Sequence, residues 1–224
     1  WHAHIEELPR RTEVLNSYRL KTLHYTNSLG TDLTVELPQG HFWAGGAEKC
    51  VTSGVLFSAN IPSEEVFTLP VKTGVNGVVY ASKPLSLHGN LIEGFGFELK
   101  EGKIIRAFAQ KGEDVLQKAI SVDEGASYLG EVALVPYDSP ISNSGILFYN
   151  TLFDENAACH FAFGEAYPCI RGAEEMSKET LCQRGMNESI THVDFMIGTA
   201  DLTITGTTED GREVPVFVQG NFAF

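Results

Sequence analysis

The chain has 224 residues, of which 43% are hydrophobic and 20% charged, a composition typical of a folded globular domain rather than of a disordered or fibrous chain. Its 29 acidic residues outnumber its 16 lysines and arginines and give a formal net charge of −13, which argues against binding to nucleic acid or anionic membranes. Such a charge instead favours cations, either divalent metals or substrates with a free ammonium group.

The sequence also indicates where the protein works. No stretch reaches the roughly 18 consecutive apolar residues that a membrane span requires. The chain starts at Trp1 without a methionine, a basic stretch or an apolar signal region, so we expect a piece of a longer protein. Cys50, Cys159, Cys169 and Cys182 form no C-x-x-C pair and are too sparse for a disulfide scaffold, so we expect reduced thiols and a cytoplasmic location.

Hydrophobic periodicity predicts one helix at the start of the chain and many strands after it. Residues 4–25 have helical apolar spacing, which Pro9 and the Arg10-Arg11 pair can split. A second helix is predicted at 113–122, and a polar helix or loop at 173–184. Tight turns are predicted at 98–103 and 208–211. Strands are predicted at 33–37, 75–80, 91–99, 103–109, 130–135, 158–163, 191–197, 202–205 and 214–218.

The order of these elements predicts the fold class. Many strands with few, separated helices indicate an α+β fold with a mixed, largely antiparallel sheet. No internal repeat or low-complexity linker interrupts the sequence, so we expect residues 1–224 to form a single domain.

The most informative motif is a histidine and an aspartate in one apolar strand. His192 and Asp194 lie two residues apart, so their side chains project from the same face. The two groups can ligate one cation, and an aspartate in an apolar run is costly unless it is paired or bound to a metal. The alternative is that the two side chains only hydrogen-bond to each other.

A second candidate is His160, in a run of small and aromatic residues with Glu155 before it and Tyr167 after it. A lone histidine in an apolar run is more often a satisfied core residue than a metal ligand. The second histidine with its nearby carboxylate at 192–194 favours the ligand interpretation.

Three more carboxylates complete the candidate set. Glu131 is the only charge in the hydrophobic run 130–135, and a buried carboxylate of this kind needs a cation or several donors. Glu64 and Glu65 follow Ser63, and the alternative there is a simple helix or turn entry with Ser63 as its cap. Together, two histidines and at least four carboxylates are the ligand set of a two-cation site for Zn, Co, Mn or Mg. In such sites a bridging carboxylate joins two metals, which activate a water and polarise a scissile carbonyl.

Four segments carry a family resemblance, namely NIPSEEVFT at 60–68, LGEVALV at 129–135, NAACHFAFGEAY at 156–167 and HVDFMIG at 192–198. They resemble the thermophilic metallo-aminopeptidase family, of the aminopeptidase T and S type, and occur in the family's order. The resemblance extends over nearly the whole chain but over only about the C-terminal half of a family member. It implies that an N-terminal domain of the parent protein is absent from this chain.

The resemblance implies a dinuclear metal-dependent exopeptidase that removes single residues from the free amino termini of peptides. Its metal ligands fall, by motif position, on Glu65, Glu131, Glu155, His160, His192 and Asp194. Glu131 is expected to bridge the metals, and the family's active-site tyrosine falls on Tyr167, which would donate a hydrogen bond to the developing oxyanion. Glu64 is the weaker candidate for the general base, because adjacent residues on an extended segment point opposite ways. We expect a homodimer for the full-length protein.

Two alternatives stay open at this point. A cupin-like non-haem iron oxygenase also uses an H-x-D motif, but it usually has its second histidine downstream, and no histidine follows Asp194. The other alternative is a metal-binding fragment without activity of its own, because the absent domain would help to position substrate and exclude water.

Overall fold

The computed structural model describes residues 2–58 and 63–224, so the Asn60-Ile61-Pro62 part of the 60–68 motif lies outside the described residues. Within these ranges the helices are α1 His2–Tyr18, α2 Glu113–Ala119, α3 Pro140–Asn143, α4 Thr151–Asp154 and α5 Lys178–Gln183. Short 3-10 helices occupy Gly125–Ser127, Glu155–Ala157 and Ala173–Glu175. The strands are β1 Leu20–Thr26, β2 Asp32–Glu36, β3 Glu48–Lys49, β4 Leu56–Phe57, β5 Val66–Thr68, β6 Val75–Tyr80, β7 Leu85–Leu87, β8 Asn90–Ile92, β9 Gly96–Lys100, β10 Lys103–Phe108, β11 Leu129–Leu134, β12 His160–Gly164, β13 His192–Met196, β14 Thr203–Thr208, β15 Glu213–Val218 and β16 Asn221–Phe222.

Two antiparallel sheets form the framework of the described chain. The larger sheet has eight strands in the order β10-β9-β6-β2-β1-β14-β15-β16, and the smaller has four in the order β13-β12-β11-β5. Two separate hairpins, β3-β4 and β7-β8, complete the described strands. The predicted α+β class, with a largely antiparallel sheet and few helices, is confirmed.

Aromatic side chains pack the two sheets face to face. Phe97 of β9 lies with its ring centroid 5.0 Å from that of Phe195 in β13 and 5.8 Å from that of Phe163 in β12. Tyr25 of β1 packs against Phe161 of β12 at 5.0 Å. All of these side chains are buried, and such edge-to-face contacts add about 0.5–1.5 kcal/mol each to the free energy of burial. One face of the four-stranded sheet is therefore covered by the eight-stranded sheet.

The first predicted helix is too long. The helix α1 contains Pro9 but ends at Tyr18, where Arg19 takes a positive φ of 51° and the chain continues as strand β1. A register shift near the start of β1 breaks its alternation, so that Leu20 and Leu23 are both buried three residues apart. This spacing imitates that of a helix, which explains the wrong prediction.

The strand predicted at 91–99 is in fact two strands. The chain turns between β8 and β9 at Gly94, whose φ of +57° is a conformation that side chains disfavour. The tight turn predicted at 98–103 is confirmed, because β9 and β10 form a hairpin through Glu101 and Gly102, both with positive φ.

The remaining predicted strands and the helix near 113–122 are present, with ends that differ by a few residues. The polar stretch at 173–184 contains a 3-10 helix and α5, as predicted. The four cysteines are free thiols. Among the described residues, none of the helices has the length and apolar content needed to cross a membrane.

Candidate metal centre

Strand alternation places the candidate ligands on the face of the four-stranded sheet that the larger sheet leaves uncovered. In β12, the phenylalanines on either side of Ala162 pack in the core, so His160 points to the opposite face. In β13, His192 and Asp194 likewise alternate with residues that pack in or against the core. Glu131 and Asp194 both pair with Ala162, which places them in one row across three strands with only a methyl group between them.

Each imidazole meets two carboxylates through its Nε2 atom. Nε2 of His160 lies 3.0 Å from Oε2 of Glu65 and 3.9 Å from Oε1 of Glu131. Nε2 of His192 lies 3.2 Å from Oε2 of Glu131 and 3.2 Å from Oδ1 of Asp194. The two oxygens of Glu131 therefore face different histidines. The five residues form two groups of three potential metal ligands, each with its ligand atoms within 4.8 Å of one another, and the groups share Glu131.

Backbone carbonyls orient both imidazole rings. Nδ1 of His160 donates to the carbonyl oxygen of Ala158 at 3.0 Å, and Nδ1 of His192 donates to the carbonyl oxygen of Glu165 at 2.8 Å. With Nδ1 bound to a carbonyl, Nε2 is the ring atom that faces the carboxylates and could bind a metal, which is the usual arrangement of metal-binding histidines.

Glu155 and Glu64 lie beside these groups rather than within them. Glu155 begins the 3-10 helix that precedes β12 and is 9% exposed, with its carboxylate close enough to hydrogen-bond to Asp194. Its neighbour Asn156 is fully buried and accepts a hydrogen bond from the backbone N–H of Glu64 at 2.8 Å. Glu65 faces the histidines, whereas Glu64 is buried without lining the cavity described below. Adjacent residues thus point opposite ways, as expected for an extended segment.

The electrostatics of the site favour cations. Burial, together with the charge of Asp194, raises the pKa of Glu155 to about 8. Burial alone would lower the pKa of His160, but its hydrogen bond to Glu65 and the charge of that carboxylate raise it to about 10. Burial likewise opposes the protonation of His192, yet its hydrogen bond to Asp194 contributes to a pKa raised to about 11. The carboxylates therefore hold protons on the site when no metal is bound, and divalent ions would balance the same charge.

A cavity of about 910 Å³ opens over this face of the sheet. All six predicted metal ligands line it, and so does Tyr167. The Tyr167 ring is 55% exposed and lies with its centroid 5.3 Å from that of His192 and 6.1 Å from that of Phe67. The phenol therefore borders both the charged and the apolar part of the cavity.

The apolar part of the cavity and one of its acidic residues were not predicted from the sequence. Phe42, Phe67 and Leu152 form much of its apolar lining, and Glu48 adds another carboxylate. The backbone N–H of Phe42 donates to the carbonyl oxygen of Cys169 at 2.9 Å, so the pairing of distant segments brings these residues together. Only Phe67 had a sequence signal, because it lies within the 60–68 motif.

The cluster of acidic and imidazole side chains could hold metal ions, and the comparisons with known proteins identify the family. The family described as thermophilic metalloprotease (M29) matches residues 1–222, and the chain belongs to it. The sequence is 55% identical over 225 residues to aminopeptidase AmpS from Bacillus subtilis (strain 168), an alignment that covers 100% of this chain and 54% of that protein. The chain thus spans about half the length of the curated relatives it matches.

Solved structures agree with the fold. Wild-type AmpT from Thermus thermophilus superposes with a TM-score of 0.92 at 45% sequence identity, covering 100% of this chain and 55% of that one. The 2,5-dihydroxypyridine dioxygenase from Pseudomonas putida KT2440 superposes with a TM-score of 0.64 at 14% identity, covering 97% of this chain and 60% of that one. At this low identity the second likeness concerns the fold alone.

Proposed function

We propose that residues 1–224 form the metal-binding catalytic domain of an aminopeptidase that holds two divalent ions and releases amino acids from the amino termini of peptides. The observation that carries the proposal is the position of Glu131, whose two oxygens face different histidines in two ligand groups. A carboxylate in this position is suited to bridge two metals. Membership of a metalloprotease family and the names of the relatives support the same activity.

The six residues predicted as ligands divide between two ions in this proposal. Glu65 and His160 would hold one ion and His192 and Asp194 the other, with Glu131 between them. Glu155, which lies beside Asp194, would complete the set on that side. Carboxylate and imidazole donors suit Zn, Co, Mn or Mg, with imidazoles favouring the transition metals. When bound, the ions would polarise the scissile carbonyl and lower the pKa of the attacking water.

The cavity supports a peptide with a free amino terminus as the substrate. Its acidic lining, which includes Glu48, would attract the ammonium group and repel acidic side chains. Phe42, Phe67 and Leu152 would contact an apolar side chain of the first substrate residue.

Two side chains have proposed roles in the chemical step. The hydroxyl of Tyr167 would donate a hydrogen bond to the carbonyl oxygen as negative charge develops there, an interaction worth about 3 kcal/mol in comparable sites. Glu64 is proposed as the general base. This proposal has less support, because Glu64 does not line the cavity. A cytoplasmic location is proposed from the sparse cysteines, and a homodimer of the whole protein from the family resemblance.

The test is the release of amino acids from short peptides by the metal-loaded chain, followed by chromatography. The expected product is one residue at a time from the amino terminus. The matched control is the same peptide with an acetylated amino terminus, which should stay intact because it lacks the ammonium group. Cleavage of the blocked peptide would contradict an aminopeptidase.

The same preparation distinguishes the alternatives. A chain that binds two ions but releases nothing would be the inactive metal-binding fragment. A single tightly bound iron would instead support an oxygenase site, for which His160 supplies the second histidine from a neighbouring strand.

A further inference from the structure

We propose that Glu165 and Asp123 are positioning residues, which together hold the segment 189–192 so that the imidazole of His192 faces Glu131 and Asp194. The inference rests on the proposed function, because it assigns His192 to a metal site. Neither Glu165 nor Asp123 lines the cavity, so both would act through His192 rather than on the substrate.

Glu165 contacts the segment at three points. Its backbone carbonyl accepts the Nδ1 hydrogen bond of His192 at 2.8 Å, and its backbone N–H donates to the carbonyl oxygen of Thr191 at 2.7 Å. Its side-chain carboxylate accepts a short hydrogen bond from the backbone N–H of Ser189. The residue that orients the ring thus also fixes the chain that leads to it.

Asp123 holds the same segment through its side-chain carboxylate. Its Oδ1 accepts hydrogen bonds from the hydroxyl of Ser189 at 2.8 Å and from the backbone N–H of Ala126 at 2.7 Å, and its Oδ2 accepts one from the backbone N–H of Ile190 at 2.7 Å. The side chain of Ile190 is 83% exposed, so its packing contributes little to holding the segment. Hydrogen bonds to two carboxylates therefore replace hydrophobic contacts here.

The arrangement has a consequence for only one of the two ligand groups. His192 belongs to the group with Asp194, whereas His160 is oriented by a different carbonyl, that of Ala158. Removing a direct outer partner of a metal-binding histidine usually weakens metal binding about 10- to 100-fold. The carboxylates of Glu165 and Asp123 lie one step further out, because Glu165 orients His192 through its backbone carbonyl, so we expect the lower end of this range. Loss of the Glu165 or Asp123 carboxylate should therefore lower the affinity for the ion on the His192 side. The affinity for the ion on the His160 side should not change.

The experiment is a titration of the metal-free chain with Co²⁺, followed by visible absorption, in the native chain and in Glu165→Ala, Glu165→Gln and Asp123→Ala. The native chain should bind two ions, and Glu165→Ala and Asp123→Ala should bind one of them about 10-fold more weakly with an altered spectrum. Glu165→Gln should restore much of the affinity, because its amide oxygen can still accept from Ser189. The control is Glu175→Ala, an exposed carboxylate with no contact to the segment, which should behave as the native chain.

Two outcomes would overturn the inference. One is a Glu165→Ala chain that binds both ions with native affinity. The other is an equal loss of affinity for both ions, because a general loss of structure would affect the two ligand groups alike. Thermal unfolding of the metal-free variants measures any such loss directly.

A native chain that binds no Co²⁺ would contradict the proposed metal site but would still leave the positioning role testable. Nuclear magnetic resonance of the metal-free chain should then show a shifted Nδ1 proton for His192 in Glu165→Ala and an unshifted one for His160. An unchanged His192 signal would reject the role of Glu165.

Discussion

The two faces of the four-stranded sheet are made by the same strands but carry opposite kinds of side chain. The face toward the eight-stranded sheet is aromatic and aliphatic, with Phe161, Phe163 and Phe195 fully buried. The opposite face carries imidazoles and carboxylates, which form two groups of potential metal ligands that share Glu131. A single residue step along β12, from Phe161 to His160, crosses from one environment to the other.

This difference separates stability from chemistry. Apolar burial on the first face supplies free energy of folding, whereas clustered carboxylates on the second face repel one another until cations or protons balance them. Substitutions on the first face should therefore lower stability at unchanged metal stoichiometry. Substitutions on the second face should mainly change metal binding or turnover.

The largest expected effect on stability comes from Phe163→Ala on the core face. Phe163 packs against Phe97 and Phe195 and is not adjacent to a proposed ligand, so its truncation leaves a cavity that costs about 3–5 kcal/mol of unfolding free energy. Urea denaturation of the metal-free chain measures this cost. Phe163→Leu is the conservative control, expected to cost less. A loss of metal stoichiometry in folded Phe163→Ala would contradict the separation of the two faces.

On the site face, Tyr167→Phe should lower kcat about 100-fold, because the phenol no longer donates to the developing oxyanion. Metal content and unfolding free energy should not change, since Tyr167 is 55% exposed and belongs to neither ligand group. Peptide turnover and metal analysis on the same sample check both parts. Tyr149→Phe, at another exposed tyrosine, is the matched control. Full turnover in Tyr167→Phe would reject the role of the hydroxyl.

The metal-free chain should lose stability as the pH rises from about 6.5 to about 10. The pKa of His160 is raised to about 10, so its contribution is present at low pH and is lost as the pH passes that value. The pKa of Glu155 is raised to about 8, so its contribution is also lost with rising pH. Denaturation at a series of pH values with a chelator measures the slope, and excess Zn²⁺ should reduce it. A rise in stability over this pH range would contradict the raised pKa values of His160 and Glu155.

The smallest effect on metal binding is expected from Glu64→Gln. Glu64 lies outside the cavity lining, so the substitution should leave the metal content unchanged. Glu65→Gln should lower the affinity for the ion on the His160 side. Metal titration compares the two variants directly. A large loss of kcat in Glu64→Gln at full metal content would support its role as the general base.

Local patterns in the sequence predict much of the site. The two-residue spacing of His192 and Asp194 places them on one face of any strand, and their Nε2 to Oδ1 distance of 3.2 Å agrees with this prediction. Glu131 was identified because a single charge in an apolar strand requires compensation, and it lies 3.2 Å from His192.

Features that depend on contacts between distant segments could not be predicted in this way. The helix prediction failed at β1 because a register shift imitates helical spacing, and the strand is revealed by its pairing with β2 and β14. Phe42 and Glu48 line the cavity through the tertiary arrangement of the segment that contains β3, without a motif of their own.

The most direct test of the account is the metal content of the native chain and of Glu131→Gln, measured by plasma mass spectrometry after equilibration with zinc or cobalt. We expect about two ions in the native chain and a clear loss in Glu131→Gln, because Glu131 belongs to both ligand groups. Native metal content in Glu131→Gln, or the absence of stoichiometric metal in the native chain, would contradict the shared dinuclear site.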